Sequence, residues 1–283
     1  MNTDLIGVSE LRPHLSDAGW CVVDCRHDLE YFEAGRHQYA LGHIPGAVFA
    51  HMEDDLSGEK TGRNGRHPLP RPEALATLFR SWGIDNDTQI VAYDASGGAF
   101  AARLWWLARW LGHPTVAVLD GGWPAWLAAT NLSSRQAAQR PTGRFEIRPS
   151  LAPAVDAQQV QAMLGRAGKL VVDARAAERY EGRVEPLDPV AGHIPGTINR
   201  PWQANLDNGR FKPRDLLRRE FTALLDGRAP SELTVLCGSG VTACHHLLAL
   251  EHAGLGGAAL YPGSWSEWVA DPSRPVATGP QPG

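Results

Sequence analysis

At 283 residues, with 43% apolar and 20% charged residues, the chain has the balance of a globular protein of two ordinary domains that folds without metals or disulfides. A formal net charge of −4, with no block of five or more basic residues, argues against nucleic acid or an anionic membrane surface as partners. Met1-Asn2-Thr3-Asp4 has no basic segment followed by an apolar core, and the most apolar stretch, Leu104 to Leu111, is broken by Arg109 and preceded by Arg103. A soluble, cytoplasmic protein is expected.

In chain order, the first strand signal is Val22-Val23-Asp24, flanked by Cys21 and Cys25. On one strand their Cα atoms stand about 13 Å apart, too far for a disulfide. Gly42-His43-Ile44-Pro45-Gly46-Ala47 follows. Gln89 to Tyr93 reads as a buried strand and Ala99 to Leu111 as a helix, before Gly121-Gly122-Trp123-Pro124-Ala125-Trp126. Thr130 to Pro153 is rich in Ser, Arg, Gln and Pro without sustained apolar periodicity, as expected of a linker. The pattern then restarts. Val171-Val172-Asp173, Gly192-His193-Ile194-Pro195-Gly196-Thr197 and Gly263-Ser264-Trp265-Ser266-Glu267-Trp268 repeat the three earlier segments in the same order. An internal repeat decides the architecture. Two domains are expected, residues 1–139 and 140–283, each an α/β unit in which a mostly parallel sheet carries helices on both faces.

Cys237 stands where the apolar run Leu233-Thr234-Val235-Leu236 ends, before Gly238-Ser239-Gly240-Val241-Thr242-Ala243 and a helix reading from Thr242 to Ala253. Ligands of such sheets collect at the carboxyl ends of strands. Two glycines let the loop turn its N–H groups inward, and the helix start adds unpaired donors, so an anion is stabilised there. That anion would be a thiolate, the nucleophilic form of cysteine. A small buried hydrophobe is the alternative use of a free cysteine. Cys244, inside the helix, reads as core. Trp123, Trp126, Trp265 and Trp268 read as core fill under the final helix of each half.

The Cys237-to-Ala243 loop, the two His-Ile-Pro-Gly segments and Gly263-Ser264-Trp265-Ser266-Glu267-Trp268 together resemble tandem rhodanese-type sulfurtransferases, over nearly the whole chain. The uncharged loop looks most like that of the 3-mercaptopyruvate enzymes; in the thiosulfate enzymes basic residues usually follow the cysteine. The resemblance implies two half-reactions. Cys237 takes sulfane sulfur from 3-mercaptopyruvate or thiosulfate as a persulfide, then yields it to cyanide or to a thiol such as glutathione or thioredoxin, with no cofactor and no metal.

The same resemblance makes Gly238, Gly240, Val241 and Thr242 the cradle of the bound sulfur. It gives Ser239 a part in proton movement, though a turn serine also commonly bonds its own backbone. Arg179 matches the arginine that binds the anionic end of the substrate, a task suited to a guanidinium fork. Arg175 is expected to be structural, paired with a carboxylate. The second substrate arginine of the mercaptopyruvate enzymes has no counterpart in Glu185 to Ala191, so the carboxylate of 3-mercaptopyruvate loses one of its two expected anchors unless Arg183 or a residue of the first half substitutes. The first half carries Asp94 where the second has Cys237, and so keeps the scaffold without the nucleophile. His43 matches a histidine proposed for proton transfer, but its recurrence as His193 favours a structural role for both.

Two other functions compete. A phosphatase would need an arginine six positions after the cysteine to clamp phosphate, and that position is Ala243. A sulfur-relay or regulatory module would hand its sulfur to one dedicated partner protein.

Overall fold

The computed structural model describes all 283 residues, which form two compact units. The first comprises Met1–Gly58, Leu69–Leu151 and Asn208–Phe211; the second comprises Glu59–Pro68, Ala152–Asp207 and Lys212–Gly283.

In the first unit, β1 (Leu5–Ile6), β2 (Trp20–Asp24), β3 (Val48–Phe49), β4 (Gln89–Tyr93) and β5 (Val116–Leu119) form an all-parallel sheet in the order β1-β5-β4-β2-β3. The central β4 is buried along its whole length, the continuous run that a sheet covered on both faces requires. Helices α1 (Ala34–Leu41), α2 (Pro72–Ser81), α3 (Ala101–Trp110) and α4 (Gly122–Thr130) provide the crossovers and the cover. Pro72 opens α2, where its missing N–H costs no bond, and Leu75, Ala76 and Phe79 form the buried face.

The second unit has the parallel strands β6 (Leu170–Asp173), β7 (Ile198–Asn199), β8 (Leu233–Leu236) and β9 (Ala259–Leu260), ordered β9-β8-β6-β7. Its helices are α5 (Ala157–Met163), α6 (Ala177–Tyr180), α7 (Arg214–Leu225), α8 (Ala243–His252) and α9 (Ser264–Trp268). From Ala243 to Leu250 every residue of α8 is buried, so this helix is enclosed rather than half-exposed. Val160, Val171, Ile194, Leu236, Tyr261, Trp265 and Trp268 form one core cluster.

The sequence boundary near residue 140 falls inside chain that still packs on the first unit. Phe145 is fully buried with its ring 5.2 Å from Phe79, Gly143 N–H donates to Arg80 O at 2.8 Å, and Leu151 N–H donates to Arg109 O at 2.9 Å. A single aromatic anchor among polar residues leaves no periodic trace.

The repeat is physical as well as textual. Arg26 grips Asp24, donates to Gly42 O at 2.7 Å and lies 4.7 Å over the Trp123 ring; Arg175 grips Asp173, donates to Gly192 O at 2.7 Å and lies 4.7 Å over Trp265. Each buried guanidinium thus has a carboxylate, a carbonyl and an aromatic face, which together offset its desolvation. Burial disfavours the charge of Arg175, but Asp173, Glu185 and Cys237 outweigh it and hold the group above its ordinary value.

His246 of α8 is buried, donates from Nε2 to Arg200 O at 2.6 Å and accepts at Nδ1 from Asn205 Nδ2 at 2.7 Å. Burial, then the charge of Arg200, holds it neutral well below the usual histidine range. The unfolded chain therefore takes up a proton below about pH 6.5 that the folded chain refuses, and stability falls with pH through that window. Urea midpoints are expected to drop between about pH 7 and about pH 5, less steeply in His246→Gln. Burial likewise lowers His113, which supplies the remaining slope. An unchanged slope in the variant would put the titrating group elsewhere.

Candidate active site

Cys237 follows the last residue of β8 and is buried. Its Sγ accepts a hydrogen bond from Gly240 N–H at 3.2 Å, so the loop already turns one amide onto the sulfur. The N–H groups of Val241 and Thr242 donate to no protein acceptor. Gly240 has φ +75°, and a Cβ there would lie 2.2 Å from Pro262 O, so both the turn and its close approach to the backbone require glycine.

The first unit shows what this loop does with an anion. Asp94, at the position matching Cys237, accepts through Oδ1 from Ser96 N–H at 2.7 Å and Gly98 N–H at 3.0 Å, and through Oδ2 from Phe100 N–H at 2.8 Å and Ala101 N–H at 2.9 Å. Four amides of one strand-to-helix turn converge on a carboxylate. In the matching turn of the second unit Gly240 N–H is on the Cys237 sulfur and Val241 N–H is left over for an anion, whereas the amide matching Ala101, that of Cys244, donates to Val241 O at 3.1 Å.

The Gly-Ser-Trp-Ser-Glu-Trp motif holds the cysteine loop in place. Trp265 N–H donates to Cys237 O at 3.0 Å and Ser266 N–H to Gly238 O at 2.9 Å. Ser264 takes a left-handed φ of 54°, where the first unit has Gly122 at 53°. The strain of a side chain in that conformation is met by its hydroxyl, which accepts Cys237 N–H at 3.0 Å and donates to Tyr261 O at 2.9 Å. Cys244, on the inner side, donates from Sγ to Gly240 O at 3.3 Å and is buried.

Ser239 is buried, and its Oγ lies 2.7 Å from Nδ1 of buried His67. His67 and Arg66 come from Glu59–Pro68, a segment of the first half of the sequence that packs on the second unit. Arg66 N–H donates to Ser266 Oγ at 3.0 Å. A Cβ placed on Gly238 would meet Arg66 Nη2 at 2.9 Å and the two Nη atoms of Arg179 at 3.3 and 3.4 Å. Two guanidiniums therefore face the residue after the cysteine. Arg179 donates from Nη2 to Glu185 Oε1 at 2.7 Å and from Nε to Glu185 Oε2 at 3.2 Å; Arg66 pairs with Asp188.

The other candidates lie away from this group. Arg183 pairs with Glu181 at 2.6 Å and is 59% exposed, so its surroundings are water and an acid rather than the cysteine loop. His43 is buried in the first unit, bonded by Nδ1 to Tyr39 O at 2.8 Å and by Nε2 to Gln136 O at 3.1 Å, with its ring stacked 3.8 Å from Tyr39. His193 repeats the Nδ1 contact and the stacking, with Nδ1 on Tyr180 O at 2.9 Å and its ring 3.8 Å from Tyr180, but not the contact at Nε2. Both brace the turn before the Pro-Gly pair.

These features have counterparts. A Rhodanese-like domain model matches residues 8–129 and again 156–271. The chain is 49% identical over 282 residues to a probable 3-mercaptopyruvate sulfurtransferase of Pseudomonas aeruginosa, covering 98% of this chain and 99% of the relative. It is 41% identical to a putative thiosulfate sulfurtransferase of Mycobacterium tuberculosis, covering 91% and 90%. The crystal structure of a 3-mercaptopyruvate sulfurtransferase from Escherichia coli superposes with a TM-score of 0.80 at 32% identity, over 93% of this chain and 99% of that one. The chain belongs to the rhodanese family, as a tandem-domain sulfurtransferase. No helix is long and apolar enough to cross a membrane.

Proposed function

We propose that this sulfurtransferase takes its sulfur from 3-mercaptopyruvate, at a site carried by the second unit, and passes it to a thiol such as glutathione or thioredoxin. The observation that carries the choice of donor is the 2.7 Å contact between Ser239 and His67 beside an uncharged cysteine loop. Removing sulfur from mercaptopyruvate requires a proton relay, and removing it from thiosulfate does not. When the Cys237 thiolate attacks the donor sulfur, the C–S bond breaks and its electron pair forms the enolate of pyruvate. The thiol proton passes through Ser239 and His67 to the methylene carbon, leaving the Cys237 persulfide anion and pyruvate. With thiosulfate the S–S bond breaks and sulfite leaves with the electron pair, with no proton in transit. A thiolate acceptor then attacks the outer sulfur of the persulfide and restores the Cys237 thiolate.

Gly238, Gly240, Val241 and Thr242 form the cradle in this reading, and Arg179 and Arg66 grip the donor's anionic end. The pair supplies the two anchors that Arg179 alone leaves incomplete. Four free cysteines fit a reducing compartment and support the reading of a cytoplasmic enzyme.

The test compares turnover with 3-mercaptopyruvate and thiosulfate, cyanide being the acceptor. Faster turnover with mercaptopyruvate is expected; preference for thiosulfate would reverse the donor assignment, and silence with both would favour delivery to one dedicated partner. Arg179→Ala is expected to raise KM for both donors by about tenfold to a hundredfold with kcat little changed, the pattern of lost uniform binding. An unchanged KM would move the anchor elsewhere.

A further inference from the structure

The segment that lacks the expected second arginine contains instead an acid in an unusual place. The Asp188 side chain is 3% exposed and reaches both guanidiniums, with Oδ1 on Arg66 Nη1 and Oδ2 3.3 Å from Arg179 Nη2. One carboxylate oxygen on each arginine is the grip that a donor carboxylate would receive. Glu185 differs: it is spread over Arg179, Arg175 and the N–H groups of Leu187 and Asp188, which makes it the brace of the loop. Two arginines and two buried acids leave the mouth of the cysteine loop with no net charge, where the arginines alone would carry two positive charges.

We infer that Asp188 is a specificity-determining residue that discriminates against dianionic sulfur donors in favour of monoanionic ones. The inference rests on the two-arginine clamp proposed above. The energy of an anion beside a fixed carboxylate scales with the anion's charge, so the repulsion felt by thiosulfate is about twice that felt by mercaptopyruvate, whose thiol is largely protonated at neutral pH. A penalty that multiplies the monoanion's KM by some factor multiplies the dianion's by the square of that factor.

The test is steady-state kinetics of the full chain with both donors at fixed ionic strength, for the wild type, Asp188→Asn and Asp188→Glu. Asparagine keeps the size and one acceptor oxygen but removes the charge. In D188N the KM for mercaptopyruvate is expected to fall about threefold and that for thiosulfate about tenfold, with kcat for each unchanged within about twofold. D188E, which keeps the charge, is expected to retain the wild-type ratio of the two KM values. Equal changes for both donors in D188N, a rise in both, or a D188E ratio shifted like that of D188N would each overturn the inference, because shape rather than charge would then be at work. The Arg179→Ala KM reads the clamp separately. If it rises while D188N fails to separate the donors, the clamp stands and the role of Asp188 falls; if it does not rise, the clamp itself falls.

Discussion

Cys237→Ser is expected to lose sulfur transfer from both donors, by a factor on the order of 10³ or more, while melting within a few degrees of the wild type. The hydroxyl fits the space of the thiol and still accepts Gly240 N–H, but it neither ionises near neutral pH nor carries a second sulfur. No other thiol is placed to substitute. Burial pushes Cys21 up to about 11, and burial followed by the charge of Asp24 raises Cys25 well above the usual thiol range. Cys244, in the first turn of α8, spends its proton on Gly240 O of the preceding loop. The rate per enzyme with each donor, set against the thermal melt, checks the prediction. Substantial residual turnover in a folded variant would remove Cys237 from the mechanism.

His67→Gln and Ser239→Ala are expected to separate the donors. With 3-mercaptopyruvate either change should lower kcat by about 10² to 10³, the scale of a lost general acid–base step, and the double variant should lose little more than either single one. With thiosulfate kcat should stay within about threefold, because no proton moves as sulfite departs. An equal loss with both donors would mean that the Ser239–His67 contact only braces the loop. A difference confined to mercaptopyruvate is a result that bracing alone does not produce.

The fold was legible in the sequence to an unusual degree because it is written twice. The strands Gln89–Tyr93, Leu170–Asp173 and Leu233–Leu236 appear where the apolar runs lie, and the Asp24–Arg26 and Asp173–Arg175 brackets explain why Val-Val-Asp recurs at the ends of Trp20–Asp24 and Leu170–Asp173. Cys237 was legible for the same reason: strand, glycine loop and helix are contiguous, so local chemistry describes the site.

What remained hidden comes from chain that has no repeat partner. His67 and Arg66 lie between Phe49 and Pro72, a connection without helix or strand that packs on the unit of the other half of the sequence. Periodicity is silent there. The available signal was length itself, since a long irregular connection in a compact domain is commonly functional, together with Arg66-His67 set between Gly65 and Pro68. His43, by contrast, drew attention through its motif, and its ring is occupied on both nitrogens by backbone carbonyls. Arg183 lies close to Arg179 in sequence, but it pairs with Glu181 on an exposed surface.

The most direct test of the account is to incubate the full chain with 3-mercaptopyruvate without acceptor, trap thiols with an alkylating agent and map the four cysteine peptides by mass spectrometry. The account predicts a mass increase of one sulfur atom on the Cys237 peptide alone, lost when cyanide is added, with Cys21, Cys25 and Cys244 unmodified. Sulfur found on another cysteine, or a Cys237 that stays unmodified while pyruvate is released, would contradict it.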